Sequence, residues 1–281
     1  MTQRFHIEKI LFRLAILLIG FNTYAQKDSI YTDIKTAREN PIEVYHLNLS
    51  GQNIRRQLKH LQEFHNLEYL DLSFCELDEF PADILSCKQL KSLIISSNSI
   101  SLLPEKISNL AQLEVLNLAY NKINEIPETI EKCSRLRILD LSSNYQLKNI
   151  PPQLNLLNSL EYLSCKASKN EFTNIVCGIS SLKELVIYSS SSDLICDLIK
   201  LKELKSFKLI LIETEFTPFE CSLNELAYLN KMSIEKLDCC WPYIEIPEEI
   251  ENSIKSLLPA GCELLGFIRQ NTEIKSDIEL R

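Results

Sequence analysis

Glycine is nearly missing from this chain, with 5 in 281 residues. Gly51, Gly178, Gly261 and Gly266 are the ones beyond residue 25, and none is clustered. That scarcity excludes a phosphate-cradling P-loop, a dinucleotide-binding loop and a nucleophile elbow, all of which need closely spaced glycines. Basic clusters are missing too. With 30 Lys and Arg against 38 Asp and Glu, the formal charge is −8, a poor match for nucleic acid. The longest apolar run, Leu14 to Phe21, falls well short of the roughly 20 residues that span a bilayer. Histidine is sparse, with His46, His60 and His65 after residue 25.

What the chain does contain is a repeated phrase, L-x-x-L-x-L-x-x-N-x-L. It begins at Leu67, Leu90, Leu113 and Leu136, a strict 23-residue step. A unit this short cannot bury its own apolar face, so the units must stack into a solenoid. Within one copy Leu93 and Ile95 are two apart and point inward as a strand, while Ser92, Ile94 and Ser96 face out. After Pro104 the apolar spacing changes to Ile107, Leu110 and Leu113, a helical period that carries the chain back along the other side. Asn98, Asn121 and Asn144 share one position, where an amide can satisfy buried backbone groups of adjacent turns. Cys75 takes that position one copy earlier, and Gln52 in the first copy.

These copies, with the endings Leu103-Pro104-Glu105-Lys106-Ile107 and Ile126-Pro127-Glu128-Thr129-Ile130, resemble the leucine-rich repeat family. The likeness is nearest its 23-residue, Ras-group-like class. It implies an α/β solenoid: a curved stack of short parallel strands on the concave face, with helical or irregular segments on the convex face. It also implies a binding scaffold, and fold alone does not name the partner.

The register weakens outward. Val44, Leu47 and Leu49 open a first copy. Leu160, Leu163 and Cys165 follow a loop insertion near Tyr145, then come Leu182-Leu185-Ile187 and Leu204-Phe207-Leu209. A longer step leads to Ile234, Leu237 and Cys239, and Cys262 to Ile268 can add a last strand. Thr217-Pro218-Phe219-Glu220 reads as a capping box opening a helix to Asn230, and 248–258 reads as helical. Residues 44–268 are thus expected to form the repeat domain, irregular from about 189 and ending in a cap, with 269–281 a polar tail. Residues 26–43 are expected to be a helical cap, with Ile30, Ile34 and Ala37 on one face and Pro41 at its end.

Residues 1–25 read as a secretory signal peptide: Arg4, Lys9 and Arg13 flank the apolar run, and Thr23-Tyr24-Ala25 fits a cleavage site. Cleavage would leave 27 basic against 37 acidic side chains, a balance of −10. The chain is expected to be exported, to the periplasm, the cell surface or the medium, with no membrane span after cleavage. The short signal and the repeat style resemble those of bacteria.

Ten cysteines in an exported chain suggest disulfides. The register says otherwise for five. Cys165 and Cys239 replace inward strand leucines. Cys87 and Cys133 take the convex position held elsewhere by Phe64, Leu110, Leu157 and Ile179, and Cys75 is on the Asn position. Each is expected to pack as a small hydrophobe. Cys177, Cys196, Cys221, Cys240 and Cys262 have no clear register, and a pair among them stays open.

No catalytic set emerges. His46 is on the first strand and His60 and His65 on the return segment, so a shared metal site is not expected, nor a cofactor. Candidate binding residues are instead the outward strand positions. Tyr69, Ile94, Val115, Ile138 and Tyr162 gather over consecutive turns, with Phe74 and Tyr120 in the eighth column (and, much later, Trp241) and Asp71, Asn117 and Asp140 in the fifth. An apolar centre with a polar rim is how binding patches look. The expectation is an exported, non-catalytic scaffold that holds a protein or peptide, basic around an apolar contact. Glycan binding at the cell surface is the alternative, and an enzyme within 189–233 a third.

Overall fold

The computed structural model describes residues 29–166, 171–189, 204–211, 235–240, 252, 255–256, 258, 260 and 262–265. Among them are eleven strands in one sheet, in chain order and all parallel. They are β1 (Ile30–Tyr31), β2 (His46–Asn48), β3 (Tyr69–Asp71), β4 (Ser92–Ile94), β5 (Val115–Asn117), β6 (Ile138–Asp140), β7 (Tyr162–Lys166), β8 (Glu184–Ser189), β9 (Ser206–Leu211), β10 (Lys236–Cys240) and β11 (Glu263–Leu265). The fold is a leucine-rich repeat solenoid, as the period implies.

Register follows the repeat. Tyr69, Ser92, Val115 and Ile138 lie side by side on β3 to β6, as do Asp71, Ile94, Asn117 and Asp140. Leu70, Leu93, Leu116 and Leu139 point to the other face and are fully buried, as are Leu72, Ile95, Leu118 and Leu141. One continuous core runs from Ile34 to Leu204.

Behind the sheet the chain returns through short 3-10 helices at Leu58–Glu63, Ala82–Ser86, Glu105–Asn109, Glu128–Lys132 and Pro152–Leu156. The cause is the spacing itself. Ile107, Leu110 and Leu113 are three apart, and each N–H donates three residues back, to Pro104, Ile107 and Leu110 in turn. One return is α-helical instead, at Glu171–Cys177.

The asparagine column holds the turns together. Asn121 Nδ2 donates to the carbonyls of Ile95, Leu118 and Ala119, and its Oδ1 accepts from Ile100 N–H at 3.0 Å. Asn144 repeats this with Leu118, Leu141, Ser142 and Ile123.

The N-terminal cap differs from expectation. Ile30 lies on β1 and is exposed, so it does not share a helical face with Ile34 and Ala37. Those two are buried on a one-turn α-helix, Ile34–Ala37, which Asp33 caps by accepting from Thr36 N–H at 3.1 Å. Gln52 Nε2 reaches back to Thr32 O at 2.8 Å and ties the cap to the first repeat. Pro41 opens a 3-10 turn, Pro41–Glu43, after the helix has ended at Ala37.

Cys75, Cys87, Cys133 and Cys165 are buried free thiols. Cys177 and Cys262 are half-buried against the core. Cys239 is in register beside Leu209. The signal segment, the 217–230 helix, Trp241, Cys196, Cys221 and the polar tail lie outside the described residues. Within 248–258, Asn252, Lys255 and Ser256 are helical, and β11 falls inside 262–268. Among the described residues no helix is long and apolar enough to cross a membrane.

Candidate functional site

The third and fifth positions of each phrase lie on the sheet face opposite the core. There Ile94, Val115 and Ile138 form a second apolar cluster, separate from the core, with Tyr69 and Tyr162 packed against it. Sequence reading expected these three aliphatic side chains to be exposed. They are buried, because strands about 4.8 Å apart press β-branched side chains of adjacent turns against each other. They make an apolar floor, with a half-buried tyrosine at each end.

Asp71, Asn117 and Asp140 also differ from expectation. All three are buried, Asp71 to 1% exposure. Each turns its Oδ1 back on its own chain, accepting the N–H two residues on: Ser73 at 2.9 Å, Ala119 at 2.9 Å and Ser142 at 2.9 Å. Asp71 also accepts from Ser73 Oγ at 2.6 Å. Asp71 and Asp140 motivated the expectation of a basic partner, and both end the strands from within. The D-x-S spacing of Asp71-Ser73 and Asp140-Ser142 was the available signal.

Phe74 and Tyr120 are 47% and 37% exposed. Both have left-handed backbones, with φ of 58° and 55°. So do the equivalent residues of the other phrases: Gly51 at 75°, Ser97 at 56° and Ser143 at 56°. The column is left-handed because each N–H must reach the next turn: Gly51 to Ser73 O, Phe74 to Ser96 O, Ser97 to Ala119 O and Tyr120 to Ser142 O. An L-residue in this conformation costs about 1–2 kcal/mol, and glycine avoids it. Phe74 and Tyr120 bear that cost at part-exposed positions. Gly51, at the same position of the first phrase, was the sequence signal for this column.

A row of charges runs along the start of the strands, one residue before each: Glu68, Lys91, Glu114, Arg137, Glu161 and Lys183. Lys91 Nζ is 2.8 Å from Glu68, while Arg137 and Lys183 both reach Glu161, at 3.1 and 3.2 Å. Burial opposes charge on Glu161, but hydrogen bonds from Lys183 and Arg137 outweigh it and hold its carboxyl below the ordinary value. Glu114 sits between two cations that are each committed to another acid.

His46 lies on β2 in edge contact with Tyr69, ring centroids 6.3 Å apart. His60 Nδ1 is 2.6 Å from Glu63 on the return segment. Among the described residues no group of three or more His, Cys, Asp and Glu is placed to hold a metal ion.

Residues 105–260, more than half the chain, match the family described as leucine-rich repeat region, and residues 65–123 match leucine rich repeat. The chain belongs to the leucine-rich repeat family. None of the curated proteins compared with it matches. Among solved structures, a leucine-rich repeat protein of Leptospira interrogans superposes with a TM-score of 0.52 at 21% identity, over 85% of this chain and 76% of that one. An internalin of Listeria monocytogenes does so with a TM-score of 0.59 at 18% identity, over 87% and 78%. At these identities the likeness speaks for the fold, which is consistent with a protein-interaction scaffold.

Proposed function

We propose that this leucine-rich repeat protein is an exported, non-catalytic scaffold that binds a protein or peptide through its concave sheet. The observation that carries the reading is the pair Phe74 and Tyr120. Each presents a part-exposed aromatic ring from a backbone conformation that disfavours it, in the same repeats as the apolar floor of Ile94, Val115 and Ile138 and its flanking Tyr69 and Tyr162. Left-handed L-residues carry a conformational cost and cluster at functional positions. Aromatic anchors dominate interface energetics, with truncations costing about 2 kcal/mol or more. Export is supported by the composition of residues 1–25 alone.

The test is affinity capture from the native host with the purified protein, followed by titration of the captured partner. Tyr69→Ala, Phe74→Ala and Tyr120→Ala are each expected to weaken binding about tenfold or more, while Lys88→Ala and Lys132→Ala on the convex side change it less than twofold. Silent aromatics with sensitive convex lysines would move the site to the other face.

A further inference from the structure

The residue just before each phrase is Asn66, Gln89, Gln112 and Arg135 in the early repeats, then Ser159 and Ser181. The longer side chains bridge adjacent turns there: Asn66 Nδ2 donates to Ile42 O at 2.8 Å, and Arg135 bonds Gln112. A serine fills less of that space, and Ser181 turns its hydroxyl inward to Leu160 O at 2.8 Å. What stays open is a pocket of about 380 Å³ where β6, β7 and β8 begin, lined by Arg137, Asn158, Ser159, Glu161, Ser181 and Lys183. None of the six is on a strand, so the pocket lies on the flank of the solenoid, apart from the outward strand positions.

Three side chains set its charge. Arg137 Nε and Nη2 meet Glu161 Oε1 at 3.2 and 3.1 Å, and Lys183 Nζ meets Oε2 at 3.2 Å. One acid shared by two cations leaves the lining at net +1, in a chain of −8. Elsewhere in the same row Lys91 has Glu68 to itself, and Lys205 has Glu235. Glu161 thus gathers two cationic heads that would otherwise repel each other, without spending all their donors. Arg137 Nη1 and further Lys183 N–H groups stay uncommitted, and so do the Asn158 amide and the Ser159 hydroxyl. Convergent donors with a surplus positive charge are the means by which proteins hold an oxyanion.

We propose that this flank pocket binds an oxyanion (a carboxylate, phosphate or sulfate group) between Arg137 and Lys183, with the Ser159 hydroxyl and the Asn158 amide donating to it. The pocket has room beyond the bare group. The oxyanion can therefore be a free ion or the acidic end of a larger polar molecule. The site shares no residue with the concave reading above, and neither depends on the other.

The repeat supplies its own blocking variant. Gln89 and Gln112 show that the position of Ser159 accepts glutamine within the fold. Ser159→Gln therefore fills the pocket, and Lys183→Gln removes one cation. Lys91→Gln, from the one-to-one pair of the same row, is the control. The purified, isotope-labelled protein is titrated by amide NMR with phosphate, sulfate, acetate, glucuronate and neutral glucose. Chloride holds the ionic strength constant, so that general screening contributes equally to every titration. The same spectra report whether each variant is folded.

Saturable shifts centred on Ser159, Ser181 and Lys183 are expected with at least one oxyanion, and none with glucose. Ser159→Gln should weaken binding about tenfold or more and Lys183→Gln about three- to tenfold, while Lys91→Gln changes it less than about twofold. Glucuronate tighter than acetate assigns the acidic end of a larger molecule, and equal affinities assign the bare group. Phosphate or sulfate tighter than both assigns a tetrahedral oxyanion. No saturable shift with any of the four oxyanions overturns the proposal, and so does glucose binding as well as glucuronate. Binding indifferent to Ser159→Gln, or weakened as much by Lys91→Gln as by Lys183→Gln, overturns it too, because the response is then to surface charge in general.

Discussion

Cys75 and Asn98 occupy equivalent positions one repeat apart and make the same bond. Asn98 Nδ2 donates to Leu72 O at 2.9 Å, and Cys75 Sγ to Leu49 O at 3.1 Å, each reaching 26 residues back. What the thiol lacks is the amide's acceptor: Asn98 Oδ1 receives the N–H of Cys75 and of Leu77, at 3.1 and 2.9 Å. The column therefore has a donor half and an acceptor half, and they can be separated by mutation.

Asn121→Ala removes both halves and leaves buried backbone groups unpaired, at about 1–3 kcal/mol for each group that water cannot reach. A loss of at least about 2 kcal/mol is expected in urea titration. Asn121→Cys keeps the donor and should lose less. Cys75→Asn should be neutral or stabilising by up to about 1 kcal/mol. Equal losses for the Ala and Cys variants of Asn121 would show that the donor contributes nothing.

Phe74→Gly and Tyr120→Gly should separate folding from binding. Both relieve a left-handed L-residue whose ring is exposed, so stability should rise by up to about 1 kcal/mol while partner affinity falls. Denaturant midpoints read the first effect and titration the second. A clear drop in stability would mean that the rings are there for packing.

Burial pushes the thiols of Cys87 and Cys133 up to about 11 from an ordinary value of 9.0, and that of Cys165 further in the same direction. A group raised on folding contributes stability that is fully present below its unfolded value and is lost as pH rises through its folded value. Stability should therefore decline between about pH 9 and 11. The buried thiols should resist alkylation at pH 8 until the chain is unfolded without reductant. Rapid alkylation of the folded protein, or disulfide-linked peptides containing these residues, would contradict their burial.

Leu116→Ala tests the assignment of faces. Leu116 is fully buried in the middle of the stack, and truncating such a leucine costs about 2–5 kcal/mol. Adjacent turns share the loss through their interfaces. Lys122→Ala, at an exposed position nearby, should cost under about 0.5 kcal/mol. Similar midpoints for the two would be inconsistent with this core.

For export, intact mass of protein from the native host is expected to correspond to a chain starting near Gln26. A cytosolic product retaining Met1 would end that proposal.

The 23-residue step determined by itself which residues would lie side by side, because each period advances the chain by one strand. The period alone sets Tyr69, Ser92, Val115 and Ile138 side by side. It does the same for the inward leucines, the asparagine ladder and the buried cysteines, which share the same arithmetic. How much of each outward residue remains exposed is not a property of the period. Ile94, Val115 and Ile138 cover one another only once adjacent strands stand about 4.8 Å apart. Asp71 and Asp140 turn inward because the N–H groups of Ser73 and Ser142 need an acceptor where the strands end. Likewise only the stacked backbone, with each eighth residue reaching the next turn, placed Phe74 and Tyr120 in left-handed geometry on either side of Ser97. Periodicity is a one-dimensional property and sets register. Exposure, capping and backbone strain depend on the neighbouring turns, and so only the tertiary structure decided them.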